Sequence, residues 1–296
     1  MNLKKSCREI VETVTDESRR KVSTVCRKFN KSRAWFYKSK KARKKKEYDE
    51  AQILNYVRKE RSINPRAGTK KVYHAIKNDL KQNGILIGKN KLHELLKKHN
   101  MLIEKRKSIF CRTTKQDPSL IPSPNLIKGI KITAPDQVYS SDITYIRTKT
   151  GFLYLCLTMD IFAKDIVGWS VSDSLKTELV LESIKMASKN KEHIPIIHHS
   201  DRGCQFGSKA FKTLLKELGW ESSMTEVLHC YENAISERLN GILKDEYFLD
   251  DEFSSKQIAI KNIKQVIDIY NNHRLHEKLG YKTPHAFRKE FTKEMA

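Results

Sequence analysis

The chain has 296 residues with 58 Lys and Arg against 35 Asp and Glu, a formal net charge of +23, and is long enough for two or three domains, one with a sizeable core. The charge is one-sided: residues 1–131 hold 36 basic and 12 acidic residues, net +24, whereas residues 132–296 hold 22 and 23, net −1. A polyanion-binding front end before a nearly neutral body is expected; a membrane role is not, because no segment approaches about 18 uninterrupted apolar residues and Met1–Ser6 lacks the apolar run of a signal peptide.

In chain order, helices are expected at Leu3–Thr13 and about Arg19–Phe29, the second with an apolar stripe of Val22, Val25, Cys26 and Phe29. Asn30-Lys31 can turn, and Ser32 can cap a third helix through Arg33–Lys38. Two helices, a turn and a capped basic-aromatic helix describe a helix-turn-helix over 1–46, with Arg33 and Lys38 on the helix offered to the major groove and Trp35 and Phe36 partly core. The run Lys40–Lys46, including Arg43, Lys44, Lys45 and Lys46, is expected to meet phosphates. Residues 47–112 read as a second helical module. Ile53, Tyr56 and Val57 share a helix, Asn64–Gly68 turns, Val72, Ile76 and Leu80 repeat at helical spacing, Asn83-Gly84 breaks the chain, and Leu92, Leu95 and Leu96 follow. Residues 113–131, with Pro118, Pro122 and Pro124, are a linker.

From 132 the pattern changes. Strands are expected at 138–147, 152–161 and 165–172, the first two joined by a turn at Thr148–Gly151. A helix at 175–189, a strand from the apolar run Ile194–Ile197 ending at Asp201, a helix at 208–218, a short strand at 220–223 and a further helix follow. Three antiparallel strands and then helix–strand alternation is the order of an α/β, ribonuclease-H-like fold, a mixed five-stranded sheet flanked by helices. It would occupy 132–250, with a helical extension at 251–296, and its neighbouring first and fourth strands would bring Asp142 beside Asp201. Glu237 lies on the last core helix, where Ile235, Leu239 and Ile242 form an apolar stripe opposite Asn233, Glu237, Asn240 and Lys244.

Fifty-eight residues separate Asp142 from Asp201 and 35 separate Asp201 from Glu237. Three carboxylates gathered at a sheet edge cannot all stay ionised without compensation, and oxygen-liganded divalent cations supply it. Two Mg²⁺ (or Mn²⁺) ions roughly 3.5–4 Å apart would serve an in-line phosphoryl transfer. Asp160, Asp165 and Glu232 compete for the same role, but turn or cap positions account for them. His198, His199, Cys204, His229 and Cys230 lie near the acids without finger-like pairing, so zinc is not expected. The six scattered cysteines, which lack C-x-x-C spacing, read as free thiols of a reducing cytoplasm.

Asp142-Ile-Thr-Tyr-Ile146, then residues 157–169 (LTMDIFAKDIVGW), His199-Ser-Asp-Arg-Gly-Cys-Gln-Phe206 and Glu232-Asn-Ala-Ile-Ser-Glu-Arg-Leu-Asn-Gly-Ile-Leu-Lys244 together resemble the DDE transposases of bacterial insertion sequences, in particular the second-frame product of the IS-three family, with its retroviral-integrase-like core. The resemblance implies metal-dependent DNA strand cleavage and strand transfer at the terminal repeats of the chain's own element and at target DNA. Asp142, Asp201 and Glu237 would be the catalytic and metal-binding acids. A homo-oligomer on DNA, a partner encoded by an upstream helix-turn-helix frame and a place at the bacterial nucleoid are also implied. A basic residue seven positions after the glutamate belongs to the pattern, so Lys244, two turns along the helix, is expected on DNA phosphate, with Asn240 on the same face. Residues 47–112 would be a second helix-turn-helix, and Tyr270–Pro284 matches the C-terminal signature, with His273 and His276 structural or close to DNA. Glu232 stands where aspartate is usual and Tyr139 where tryptophan is common. Two other readings share these residues: a plain metal-dependent nuclease on the same fold, and a non-catalytic DNA-binding regulator.

Overall fold

The computed structural model describes residues 10, 11, 13, 14, 21–104, 121–189, 196–226 and 234–295. Most of the expected Leu3–Thr13 helix, the linker up to 120, Ile194, Pro195, His229, Cys230, Glu232 and Asn233 lie outside them. The chain divides into two compact units, residues 1–59 with 76–100 and residues 60–75 with 101–296.

Among the described residues the elements of the first unit are all helices, two of which, Arg33–Ile63 and Thr69–Gln82, run past its bounds at 59 and 76. α1 (Val22–Lys28) buries Val25 and Cys26, which cluster with Val11 and Phe36, and Trp35 packs against them. Ser32 caps the next helix, its Oγ accepting the Trp35 N–H at 3.0 Å. That helix, α2 (Arg33–Ile63), is a single element of 31 residues, about 46 Å long. The division expected after residue 46 therefore falls inside a helix. The Lys/Arg/Glu run is composed of good helix formers, and i,i+4 pairs support it, Arg43–Glu47 at 3.3 Å and Lys46–Glu50 at 3.9 Å. α3 (Thr69–Gln82) and α4 (Lys89–Lys98) follow, with Ile53, Val57, Ile76, Leu80, Leu92 and Leu96 buried as their periodicity predicts. Between them Gly84 takes φ +71°, the left-handed turn position anticipated at Asn83-Gly84.

The second unit is built on a five-stranded sheet in the order β3-β2-β1-β4-β5. β1 (Val138–Thr148) pairs antiparallel with β2 (Gly151–Asp160), which pairs antiparallel with β3 (Ile166–Ser172). β4 (Ile197–Ser200) and β5 (Glu221–Met224) add in parallel on the other side of β1. Leu153, Leu155, Leu157 and Met159 alternate to one face, which α8 (Ala234–Glu246) and α9 (Lys256–Asn272) cover through Leu239, Leu243, Ala259, Ile263, Val266, Ile267 and Tyr270. Cys156 points to the other face, covered by α5 (Thr177–Ala187) and α7 (Lys209–Glu217), which follows the single turn α6 (Cys204–Gly207). A Cβ on Gly168 would lie 2.2 Å from the Ser183 carbonyl oxygen, so glycine permits α5 to rest directly on β3. Among the described residues no helix is long and apolar enough to cross a membrane.

Three placements depart from expectation. The described part of the fourth strand is Ile197–Ser200, which stops one residue short of Asp201 instead of ending on it, and His198 and His199 are fully buried within it. The region after 250 is integral to the core, because α9 closes one sheet face. Its last helix, α10 (Pro284–Met295), carries Arg288 into hydrogen bonds with Asp136, Asp160 and Asp165 at 2.7–3.0 Å. Finally, α8 is rotated from its predicted orientation. Ser236, Leu239, Asn240 and Leu243 are buried, while Ile235 is 36% exposed. Two polar side chains win the inward face because β1 provides their partners: Ser236 Oγ lies 2.6 Å from Ser140 Oγ, and Asn240 bonds Asp142.

Candidate active site

Register places the two aspartates. Ser141 is the parallel partner of Ser200, so Asp142 on β1 and Asp201, immediately after β4, sit side by side at the same level. They line one small cleft with Ile143, Leu175, Gly203, Gln205 and Phe206. This is the C-terminal end of a parallel strand pair, where open α/β sheets hold their ligands.

Each carboxylate is oriented by donors. Asp142 Oδ1 accepts the Ile143 N–H at 2.9 Å, and Oδ2 accepts Asn240 Nδ2–H at 2.8 Å. Asp201 Oδ1 accepts the Gly203 N–H at 3.0 Å, and a Cβ on Gly203 would crowd that oxygen at 3.0 Å. Gln205, whose amide donates to the Leu175 carbonyl at 3.0 Å, braces the cleft wall. Burial pushes the Asp142 carboxyl up to about 7; the negative charge of Asp201 adds to the rise, the Ile143 and Asn240 donors partly offset it, and Glu237 contributes a weaker push upward. A buried carboxyl facing a second carboxylate across a cleft makes a cation-seeking site.

Glu237 stands exposed in the first turn of α8, within electrostatic reach of Asp142 but outside the lining of the cleft. Among the described residues no three His, Cys, Asp or Glu side chains are close enough together to hold a metal. The chemistry of the available donors nonetheless fits a hard divalent ion. They are carboxylate oxygens, and the buried Asn240 Oδ1 beside Asp142 has no hydrogen-bond partner among the described residues. The nearby histidines face elsewhere. His198 Nε2 is 2.7 Å from Ser141 Oγ, at the end of a hydroxyl chain through Thr158 to Ser183, and His199 Nδ1 is 2.9 Å from Ser223 Oγ. Burial, with His199 beside it, holds the His198 imidazole neutral, its pKa lowered to about 3.

Of the residues expected on DNA, Arg33, Lys38, Lys44, Lys45 and Lys46 are exposed along α2, and Arg43 is partly exposed and paired with Glu47. Asn240 is placed differently: it is 8% exposed, and its amide is committed to Asp142. Lys244 lies with Nζ 4.0 Å from the Tyr145 ring centroid and 3.8 Å from Asp250. Asp160 takes the turn role, accepting the N–H groups of Phe162 and Ala163 at 2.7 and 2.9 Å. Tyr139 is buried with its hydroxyl on Asp136. Sequence reading missed Ser140, Ser236 and Gln205. The i,i+4 pair Ser236/Asn240, which shares a helix face with Leu239 and Leu243, was the available signal for Ser236.

The integrase core domain family matches residues 132–230, and a second integrase core description matches 218–284. The insertion element IS600 uncharacterized 31 kDa protein of Shigella sonnei is 33% identical over 219 residues, 73% of this chain and 80% of that protein. The transposase for insertion sequence element IS904 of Lactococcus lactis is 38% identical over 169 residues, 56% of this chain and 67% of that one. Transposase InsF for insertion sequence IS3A of Escherichia coli is 32% identical over 157 residues, 52% of this chain and 54% of that one. Among solved structures, the HTLV-2 integrase catalytic core domain in complex with magnesium aligns with a TM-score of 0.43 at 18% identity, over 52% of this chain and 97% of that one. The integrase core implies dependence on a divalent metal ion. Paired aspartates at the head of a mixed five-stranded sheet and relatives matched over most of their length agree: the chain belongs to the IS-three family of bacterial insertion-sequence transposases and is a DDE transposase, a polynucleotidyl transferase with an integrase-type core.

Proposed function

We propose that Asp142, Asp201 and Glu237 are the three catalytic acids, that together they hold two Mg²⁺ or Mn²⁺ ions, and that the chain cuts and rejoins the ends of its own element as an oligomer on DNA. The observation that carries this reading is the pairing of Asp142 with Asp201 across β1 and β4, tied through Asn240 to the helix bearing Glu237. Bound there, divalent ions supply an activated attacking oxygen and a stabilised leaving oxygen for in-line displacement at phosphorus. Ile143, Asn240 and Gly203 hold the aspartates so that their remaining lone pairs face one cleft. Glu237, exposed in the first turn of α8, completes the ligand set. Arg33, Lys38 and Arg43–Lys46 meet phosphates of the terminal repeats, and Lys244 adds one contact from its seat over Tyr145. Target DNA occupies the mouth of the same cleft, and the product of an upstream helix-turn-helix frame is the expected second protein.

Asp142→Asn, Asp201→Asn and Glu237→Gln should each reduce cleavage of terminal DNA by about 10³-fold or more while leaving end binding within a few-fold, and their combination should cost little more, because the residues act as a unit. A Glu237→Gln protein that still cuts would remove Glu237 from the triad; Glu232→Gln is its control.

A further inference from the structure

The C-terminal end of α8 is held by residues far from it in sequence. Lys71 Nζ donates to Glu246 Oε1 and Oε2 at 2.7 and 2.9 Å. Arg274 forks onto the same carboxylate, Nε to Oε2 and Nη2 to Oε1, both at 2.8 Å. One residue on, the Tyr247 hydroxyl donates to Asn64 Oδ1 at 2.7 Å, and the Asn64 amide donates to Glu60 Oε1 at 2.7 Å. Arg66 stands 3.4 Å from Asp245. Asn64, Tyr247 and Arg274 are buried, and all of these residues belong to the second compact unit. Residues 60–75, read from sequence as part of a DNA-recognition module, are thus a fitting of the catalytic unit.

The clamp bears on Glu237, nine residues or about 13 Å up the same helix. No hydrogen bond or ion pair among the described residues fixes the Glu237 carboxylate, so its position follows from the rotation and axial setting of α8. The leucines of that helix hold it without directional preference. A charge-assisted bidentate fork does have direction. Turning the helix by 20° would move a carboxylate about 5–6 Å from the axis by about 2 Å, and a misplacement of about 1 Å can cost a hundredfold in rate.

We propose that Asn64, Lys71 and Arg274, acting through Glu246 and Tyr247, are positioning residues that set Glu237 over the Asp142–Asp201 pair. The proposal rests on Glu237 being the third acid. Ser236–Ser140 and Asn240–Asp142 secure the helix beside the cleft, and the clamp secures the other end, so that neither sliding nor rolling is free.

The test uses the full chain, with Lys71→Met, Lys71→Arg, Tyr247→Phe and Glu237→Gln, on a duplex carrying the terminal sequence of the encoding element. End affinity, single-turnover cleavage at saturating protein, and amide hydrogen exchange across 234–243 and 138–160 are read together. Lys71→Met and Tyr247→Phe should bind within two-fold of the parent, cleave at least five-fold more slowly and exchange faster in 234–243 alone; Lys71→Arg should recover at least half the parent rate. Parent-like cleavage and exchange in both variants would overturn the clamp, as would exchange rising equally in the sheet. If Lys71→Met does not fold, Tyr247→Phe, which loses one hydroxyl, decides by the same criteria. An active Glu237→Gln refutes the assignment of the third acid, whereas an inactive Glu237→Gln beside parent-like clamp variants refutes the clamp alone.

Discussion

The two units use the same charged residue types in opposite ways. In the first, Lys and Arg stand along one exposed helix face with few acids to answer them: Arg33, Lys38, Lys44 and Lys45 face solvent, and the pairs that do form, such as Lys98–Glu50 at 2.9 Å, lie on the surface. In the second, cations are drawn inward and shared among acids from distant segments: Arg288 with Asp136, Asp160 and Asp165, and Arg274 and Lys71 with Glu246. Exposed single-sign charge creates a field for a polyanion and contributes little to folding. Buried, fully hydrogen-bonded charge fixes which segments meet, and it punishes removal of either partner. Charge is thus left outward as a field in one unit and spent on internal pairing in the other.

That contrast can be broken in four ways. The largest effect is expected at Arg288. Arg288→Ala leaves three acids around an empty place and should cost about 3–5 kcal/mol of unfolding free energy, measured by urea denaturation of the full chain. A cost below about 1 kcal/mol would show that the cluster behaves like a surface pair. Next, Lys44→Gln with Lys45→Gln should weaken terminal-DNA binding and reduce the slope of log K against log salt by roughly 0.9 per lost phosphate contact, without a shift in urea midpoint. An unchanged salt slope would make the α2 face merely solvated.

The third prediction concerns acid. Burial alone would raise the Glu246 carboxyl, but hydrogen bonds and charge from Arg274, with Lys71, outweigh it and hold the carboxyl below its usual value of 4.5. A carboxylate depressed in the folded state binds fewer protons there than in the unfolded chain. Its stabilisation is therefore complete above about pH 4.5 and lost as pH falls through the lower folded value. Glu246→Gln should flatten the acid limb of the stability–pH curve between those two points and lower the plateau above it. A parallel curve would mean the carboxylate is not ionised in the fold. The smallest effect is expected at Lys244, which touches Tyr145 and Asp250. Lys244→Ala should remove about 0.5–1 kcal/mol of stability and weaken terminal-DNA binding less than the α2 pair does. A larger loss of binding than the α2 pair gives would make Lys244 the principal phosphate contact.

The sequence alone determined the elements of the α/β core, their order along the chain and the neighbouring placement of Asp142 and Asp201. It could do so because strand alternation, helical periodicity and the motif order are local properties, readable wherever one face of an element is apolar. It also located the positive charge, since exposed lysines need no partner to be recognised. Tertiary structure decided the rest. The rotation of α8 depends on Ser140 and Asp142, nearly a hundred residues earlier, which make Ser236 and Asn240 better inward residues than Ile235. The burial of His198 and His199 depends on hydroxyls contributed by Ser141 and Ser223. The seat of Lys71 and Asn64 beside the glutamate helix depends on Glu246 and Tyr247, 175 and 183 residues later. In each case a polar side chain takes its place through a hydrogen bond to a partner distant in sequence, and periodicity, which records only where apolar residues recur, carries no trace of that partner.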